Sequence, residues 1–149
     1  DRYGVDGCGV PAFSAPLKTW GQALARFADD KNLPDSLRNG KRLIANAICK
    51  EPFFIAGDNR ICTAIAETLG NKITPKMGAE AVYFCSLNDL GLGLVLKCRD
   101  GSRRAVEYAL GQVLKLLNYK ISKKLAKHFN SEIYNLSGDI VGSKSIKLL

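Results

Sequence analysis

Histidine is nearly missing from this chain: His128 is the only one in 149 residues. That scarcity removes the histidine base most cysteine and many serine nucleophiles rely on, and it rules out a His-Glu-x-x-His metal helix. His128 stands in a basic stretch with no second ligand type beside it, so it reads as a surface residue rather than a metal ligand. Gly-x-Ser-x-Gly, Ser-x-x-Lys and glycine-rich phosphate loops are absent too. The five cysteines, Cys8, Cys49, Cys62, Cys85 and Cys98, are odd in number, widely spaced and never arranged as CxxC. This excludes a disulfide framework and a self-contained zinc knuckle, and it fits a reducing, cytoplasmic setting. No apolar run approaches the roughly 18–20 residues of a membrane span, so no membrane partner is expected. The opening residues carry no basic, apolar and small-residue signal pattern.

What the chain has in excess is positive charge, with 22 Lys+Arg against 14 Asp+Glu and a net charge of +8. The basic residues are scattered, and their densest run, from Lys115 to Lys127, follows the end of an expected helix, where cations complement the helix dipole. A solvated basic surface explains this better than a nucleic-acid site, because aromatic residues that could stack on bases are thin. At 46% hydrophobic and 24% charged, the composition is that of an ordinary globular domain.

The organising stretch is 73–101. Apolar runs at 81–87 and 92–98 flank Asn88-Asp89-Leu90-Gly91, which predicts a β-hairpin. Their near-continuous apolar character predicts strands covered on both faces. Lys76-Met77-Gly78-Ala79-Glu80 stands just before the first of these strands and puts charge at the mouth of the hairpin. Helical periodicity predicts helices over 17–31 (Leu17, Trp20, Leu24, Phe27 and Ala28 inward), 35–49 (Leu37, Ile44, Ala47 and Ile48 inward), 60–69 and 103–117. A short helix is expected at 123–129, and Ser137-Gly138 predicts a second hairpin from 132–136 and 139–143, with 144–149 finishing it or fraying. Residues 1–16 read as loop or short strand, and 53–59 as loop. Helices, hairpin, helix, hairpin is an α+β order with an antiparallel sheet and helices packed on it.

Seven residues carry the chemistry. Asp6 and Cys8 are two apart, so in an extended segment they share a face and could meet in one pocket; the alternative is a turn with a solvated Asp and a packed Cys. Arg60, Cys62 and Thr63 fall in the first turn of the 60–69 helix, which favours an anion such as a carboxylate, unless Asp58 or Asn59 simply caps it. Lys76 beside a buried strand suits acid–base work, and Glu80 is its nearest candidate partner. By themselves these residues do not make a complete catalytic set.

The pattern DGCGVPAFSAPL at 6–17 nevertheless resembles the signature of the L-asparaginase II family, the thermolabile type unrelated to the threonine-nucleophile enzymes. The likeness continues through Pro52, Ala56-Gly57, Arg60, Thr63, Lys76-Met77-Gly78-Ala79-Glu80, Gly91-Leu92-Gly93, Lys97, Asp100-Gly101, Arg104-Ala105 and the NLSGDIVG of the second hairpin. The resemblance implies hydrolysis of L-asparagine to aspartate and ammonia on a fold like that of the serine β-lactamases and glutaminases. It implies a Ser-x-x-Lys nucleophile pair, and a zinc ion near the substrate held by cysteine and lysine. It makes Cys8 the metal ligand, Lys76 and Cys62 catalytic, and Asp6, Arg60, Thr63 and Glu80 substrate-binding.

Two departures stand out. Ala81 occupies a position where the family usually has glycine, and Glu51-Pro52-Phe53-Phe54 replaces the usual His-Pro-Glu. The family's Ser-x-x-Lys lies ahead of DGC, so the chain is expected to be the C-terminal half of a larger asparaginase domain, inactive alone. Its expected partners are L-asparagine and the upstream half of the same protein, and a homodimer is compatible with the sequence. A non-catalytic amino-acid-binding or interaction module of the same descent and a basic nucleic-acid-binding domain are the alternative functions.

Overall fold

The hairpin expected at 81–98 forms, and it lies at the centre of the molecule. The computed structural model describes residues 2–147. Along the chain the elements are β1 (Arg2–Val5), β2 (Pro11–Ser14), α1 (Leu17–Ala28), α2 (Asp35–Lys50), α3 (Phe53–Ala56), α4 (Ile61–Leu69), β3 (Ile73–Met77), β4 (Val82–Leu87), β5 (Leu92–Lys97), α5 (Arg103–Leu116), α6 (Lys123–Ala126), β6 (Glu132–Tyr134) and β7 (Ile140–Ser143). The architecture is α+β with antiparallel sheets, as the element order predicts.

The central sheet has the order β3-β4-β5. Its first strand corrects the sequence reading, which placed Lys76 ahead of the sheet. Lys76 lies inside β3 and pairs with Phe84, while Met77 pairs with Tyr83. Pro75 obscured this strand in the sequence, because proline cannot donate to a ladder and is tolerated only at an edge, which is where β3 runs.

The two faces of the sheet are covered by different helices. Ile73, Met77, Tyr83, Cys85 and Leu87 point to one face and join Ile61, Ile65, Val106, Leu110 and Leu114 of α4 and α5 in the main core. Phe84 points to the other face, where Trp20 of α1 meets it with ring centroids 5.3 Å apart. There α1 crosses β5 so closely that a Cβ on Gly93 would lie 2.1 Å from the Gly21 carbonyl oxygen. Only glycine fits at that crossing. The expected two-sided cover therefore holds for β4, whereas Leu92 on the edge strand β5 is exposed.

α5 and the 123–129 turn appear as predicted. Leu125 and Phe129 are buried, and the Phe129 ring fills the space a Cβ on Gly111 would need. The 53–59 loop contains the single turn α3. Helix α2 forms over its predicted span, but its expected inward face does not pack: Leu37 is 60% and Ile44 53% exposed, and the helix buries no residue. Leu17 of α1 is likewise exposed. Periodicity identifies an apolar stripe, not the surface that covers it. The β1–β2 and β6–β7 hairpins also carry exposed apolar side chains, among them Phe13 and Ile140. Residues 144–147 form no strand, and 148–149 lie outside the described residues.

Candidate functional site

Helix α4 is apolar on nearly every side and therefore buried, with residues 61–66 all in the interior. This puts Cys62 against β3. Its Sγ accepts the Met77 N–H at 3.2 Å and lies 3.7 Å from the Tyr83 hydroxyl oxygen. Burial pushes the Cys62 thiol up, outweighing the hydrogen bonds it shares with Tyr83 and Met77 and the nearby positive charges of Lys76 and Arg60, which pull it down. Tyr83 is raised well above the ordinary phenol range by its own burial. Cys62 therefore stays a neutral thiol near pH 7 and ties helix to strand.

Lys76 is on the opposite, outward alternation of β3. It is exposed, and its Nζ donates to the Met77 carbonyl at 3.1 Å. The chain then turns back through Gly78, whose N–H donates to the Val82 carbonyl at 2.8 Å. Within this turn Glu80 (φ 53°) and Ala81 (φ 52°) are both left-handed, a conformation that disfavours a side chain. A glycine at position 81 would meet that demand without strain.

Three separate motifs converge on this turn. Lys97 donates through Nζ to the Glu80 carbonyl at 2.6 Å and also to the Cys98 carbonyl. The Cys98 N–H donates to the Ala81 carbonyl at 3.2 Å. Gly101, at φ 70°, leaves room for the Glu80 carboxylate, whose Oε2 would stand 2.6 Å from a Cβ there. Sequence reasoning passed over Lys97 as a site residue. Its signal was the register: Val82 pairs with Lys97, which places the lysine beside the turn.

Asp6 and Cys8 do come together, with Cys8 Sγ 4.0 Å from Asp6 Oδ2, and the Asp6 carboxylate accepts the Gly7 N–H at 2.7 Å. They meet on the exposed turn of the β1–β2 hairpin, not in a pocket. A zinc site takes three or four protein ligands. Among the described residues no group of three or more His, Cys, Asp and Glu side chains could hold a metal. The Cys8–Asp6 pair therefore does not fit zinc by itself.

Arg60 and Thr63 open elsewhere. They line a cavity of about 760 Å³ shared with Lys123, Lys124, Lys127 and His128. Thr63 Oγ1 donates to the Gly57 carbonyl at 2.7 Å. No side chain caps the start of α4, so neither Asp58 nor Asn59 fills the capping role considered for them. His128, expected at the surface rather than as a metal ligand, is only partly exposed: its side chain is 16% exposed and its Nδ1 lies 3.7 Å from Glu107 Oε2. The predicted site residues thus divide among the exposed hairpin turn, the β3–β4 wall with Cys62 behind it, and the basic cavity.

The α+β frame carries a lysine-bearing edge strand, a braced left-handed turn and an exposed Asp–Cys turn. The family model L-asparaginase II matches residues 1–146, and the chain belongs to that family. Its function at family level is asparaginase-like, with a small-molecule substrate. No curated protein matches the chain. Among the described residues no helix is long and apolar enough to cross a membrane.

Proposed function

We propose that the chain is the C-terminal part of an amidohydrolase that converts L-asparagine to L-aspartate and ammonia by serine acyl transfer. The observation that carries this reading is the family match over residues 1–146. The serine and its lysine base belong to an upstream half, on a fold of the β-lactamase and glutaminase kind. The serine oxygen adds to the side-chain amide carbonyl, the C–N bond breaks as ammonia takes up a proton, and water then cleaves the ester to free aspartate. Lys76 supplies positive charge where the oxyanion develops. Cys62 positions the Lys76 strand through the Met77 N–H. Glu80 and Asp6 are the proposed substrate contacts, whereas Arg60 and Thr63 open onto the cavity near α6. Zinc would need ligands beyond Cys8 and Asp6, and no step is assigned to it.

Two features support an upstream half. The 149 residues contain no Ser-x-x-Lys. Leu37, Leu43, Phe13 and Phe54, each 60% exposed or more, leave apolar surface that a folded neighbour would cover. The test is ammonia release from L-asparagine, by this chain alone and by a longer protein that adds a Ser-x-x-Lys segment. The longer protein is expected to be active and to lose about 10²–10³-fold in kcat on Lys76→Ala. Turnover by the 149-residue chain alone, abolished by Lys76→Ala, would sink the claim that the missing serine is required.

A further inference from the structure

We propose that the basic cavity between α4 and α6 binds a compact polyanion, a small molecule bearing two or more phosphate groups. This goes beyond the amidohydrolase reading and does not rest on it.

Packing explains how the charge is gathered. Leu125 and Phe129 are buried, which turns Lys123, Lys124 and Lys127 away from the core and toward Arg60 at the start of α4. Lys124 pairs with Glu67, and His128 with Glu107. Among the described residues Arg60, Lys123 and Lys127 make no ion pair, and Asp58 is the one carboxylate on the lining. Like charges collected around a concavity repel one another, and that repulsion falls when a multiply charged anion enters. No side chain caps the first turn of α4, and Arg60 and Thr63 of that turn line the same cavity.

Size and lining select the ligand class. At about 760 Å³ the cavity lies in the range of small-molecule sites and is larger than asparagine needs. No Phe, Tyr or Trp lines it, and its one aromatic ring, His128, is held against Glu107, so it offers no run of rings on which bases of a single strand would stack. A short polyphosphate chain matches several cations at close spacing better than one carboxylate does.

Isothermal titration of the purified protein with inorganic pyrophosphate and tripolyphosphate, at fixed ionic strength, tests this. Binding is expected to tighten from pyrophosphate to tripolyphosphate and to weaken at least tenfold in Lys123→Gln/Lys127→Gln. The distant pair Lys18→Gln/Lys50→Gln should bind as the parent does, and circular dichroism should show both variants folded. L-asparagine should not displace the anion. The proposal is overturned by pyrophosphate binding no tighter than sulfate, by equal weakening in both pairs, by displacement with asparagine, or by tighter binding of a DNA duplex. None of these outcomes depends on ammonia release, so the asparaginase reading stands or falls separately.

Discussion

Helices α2 and α4 were both legible from apolar periodicity, yet they have opposite fates. The 16-residue α2 buries nothing, whereas the 9-residue α4 buries seven side chains. Their difference lies in what surrounds the stripe. α4 is apolar except along its Thr63–Glu67 side and is enclosed by β3, α3 and α6. α2 alternates a stripe of Leu37, Ile44 and Ile48 with Arg38, Lys41 and Arg42, and it is held at its start by polar links. Arg38 donates to the Asp30, Lys31 and Leu33 carbonyls, and the Asp30 carboxylate faces Lys41 and Arg42. One helix is fixed by burial and the other by its ends.

The comparison breaks or sharpens on four measurements. The largest effect is expected from Ile65→Ala in α4, a loss of about 2–5 kcal/mol in urea unfolding, against about 0.5 kcal/mol or less for Leu37→Ala in α2. Equal losses would mean that the α2 stripe is covered in solution. Next, Gly93→Ala should cost about 1–3 kcal/mol, because the added methyl meets backbone that cannot step aside. A neutral result would show that α1 can lift off β5.

Third, alkaline pH should act on the body through its buried thiols. Burial raises both Cys62 and Cys85, so the unfolded chain gives up these protons first. Their contribution is complete below the unfolded thiol value of about 8.5 and falls above it, by up to about 1.4 kcal/mol per pH unit for each thiol. Melting curves between pH 7 and 10 should show a decline that is shallower in Cys85→Ala; an unchanged slope would rule the thiol out as its source. The smallest effect is a gain: Ala81→Gly should stabilise by about 0.5–1 kcal/mol by relieving the left-handed alanine. A loss on that substitution would mean that the methyl's packing matters more than its backbone strain.

Most of the fold could be read from the sequence because its signals are local. The hairpin at 81–98 follows from two apolar runs around a short turn, and α5 from a wide stripe. β3 was hidden by Pro75, since the edge position that makes a proline harmless is a property of the sheet. The site was legible as a set of residue types and not as an arrangement. Asp6 and Cys8 approach each other as their spacing allows, but whether that turn faces a pocket depends on what packs against it. Cys62 and Thr63, adjacent in sequence, face β3 and the basic cavity respectively. Lys97 became visible only through strand register, which pairs it with Val82.

The crossing of Gly21 and Gly93 has a mechanical consequence. Where helix and strand touch backbone to backbone, no side chain can change rotamer to absorb a displacement, so α1 and the central sheet move as one lever. Tension applied to the chain ahead of Pro16 therefore loads β5 directly. The β1–β2 hairpin, with Asp6 and Cys8 at its tip, joins that lever through residues 15 and 16.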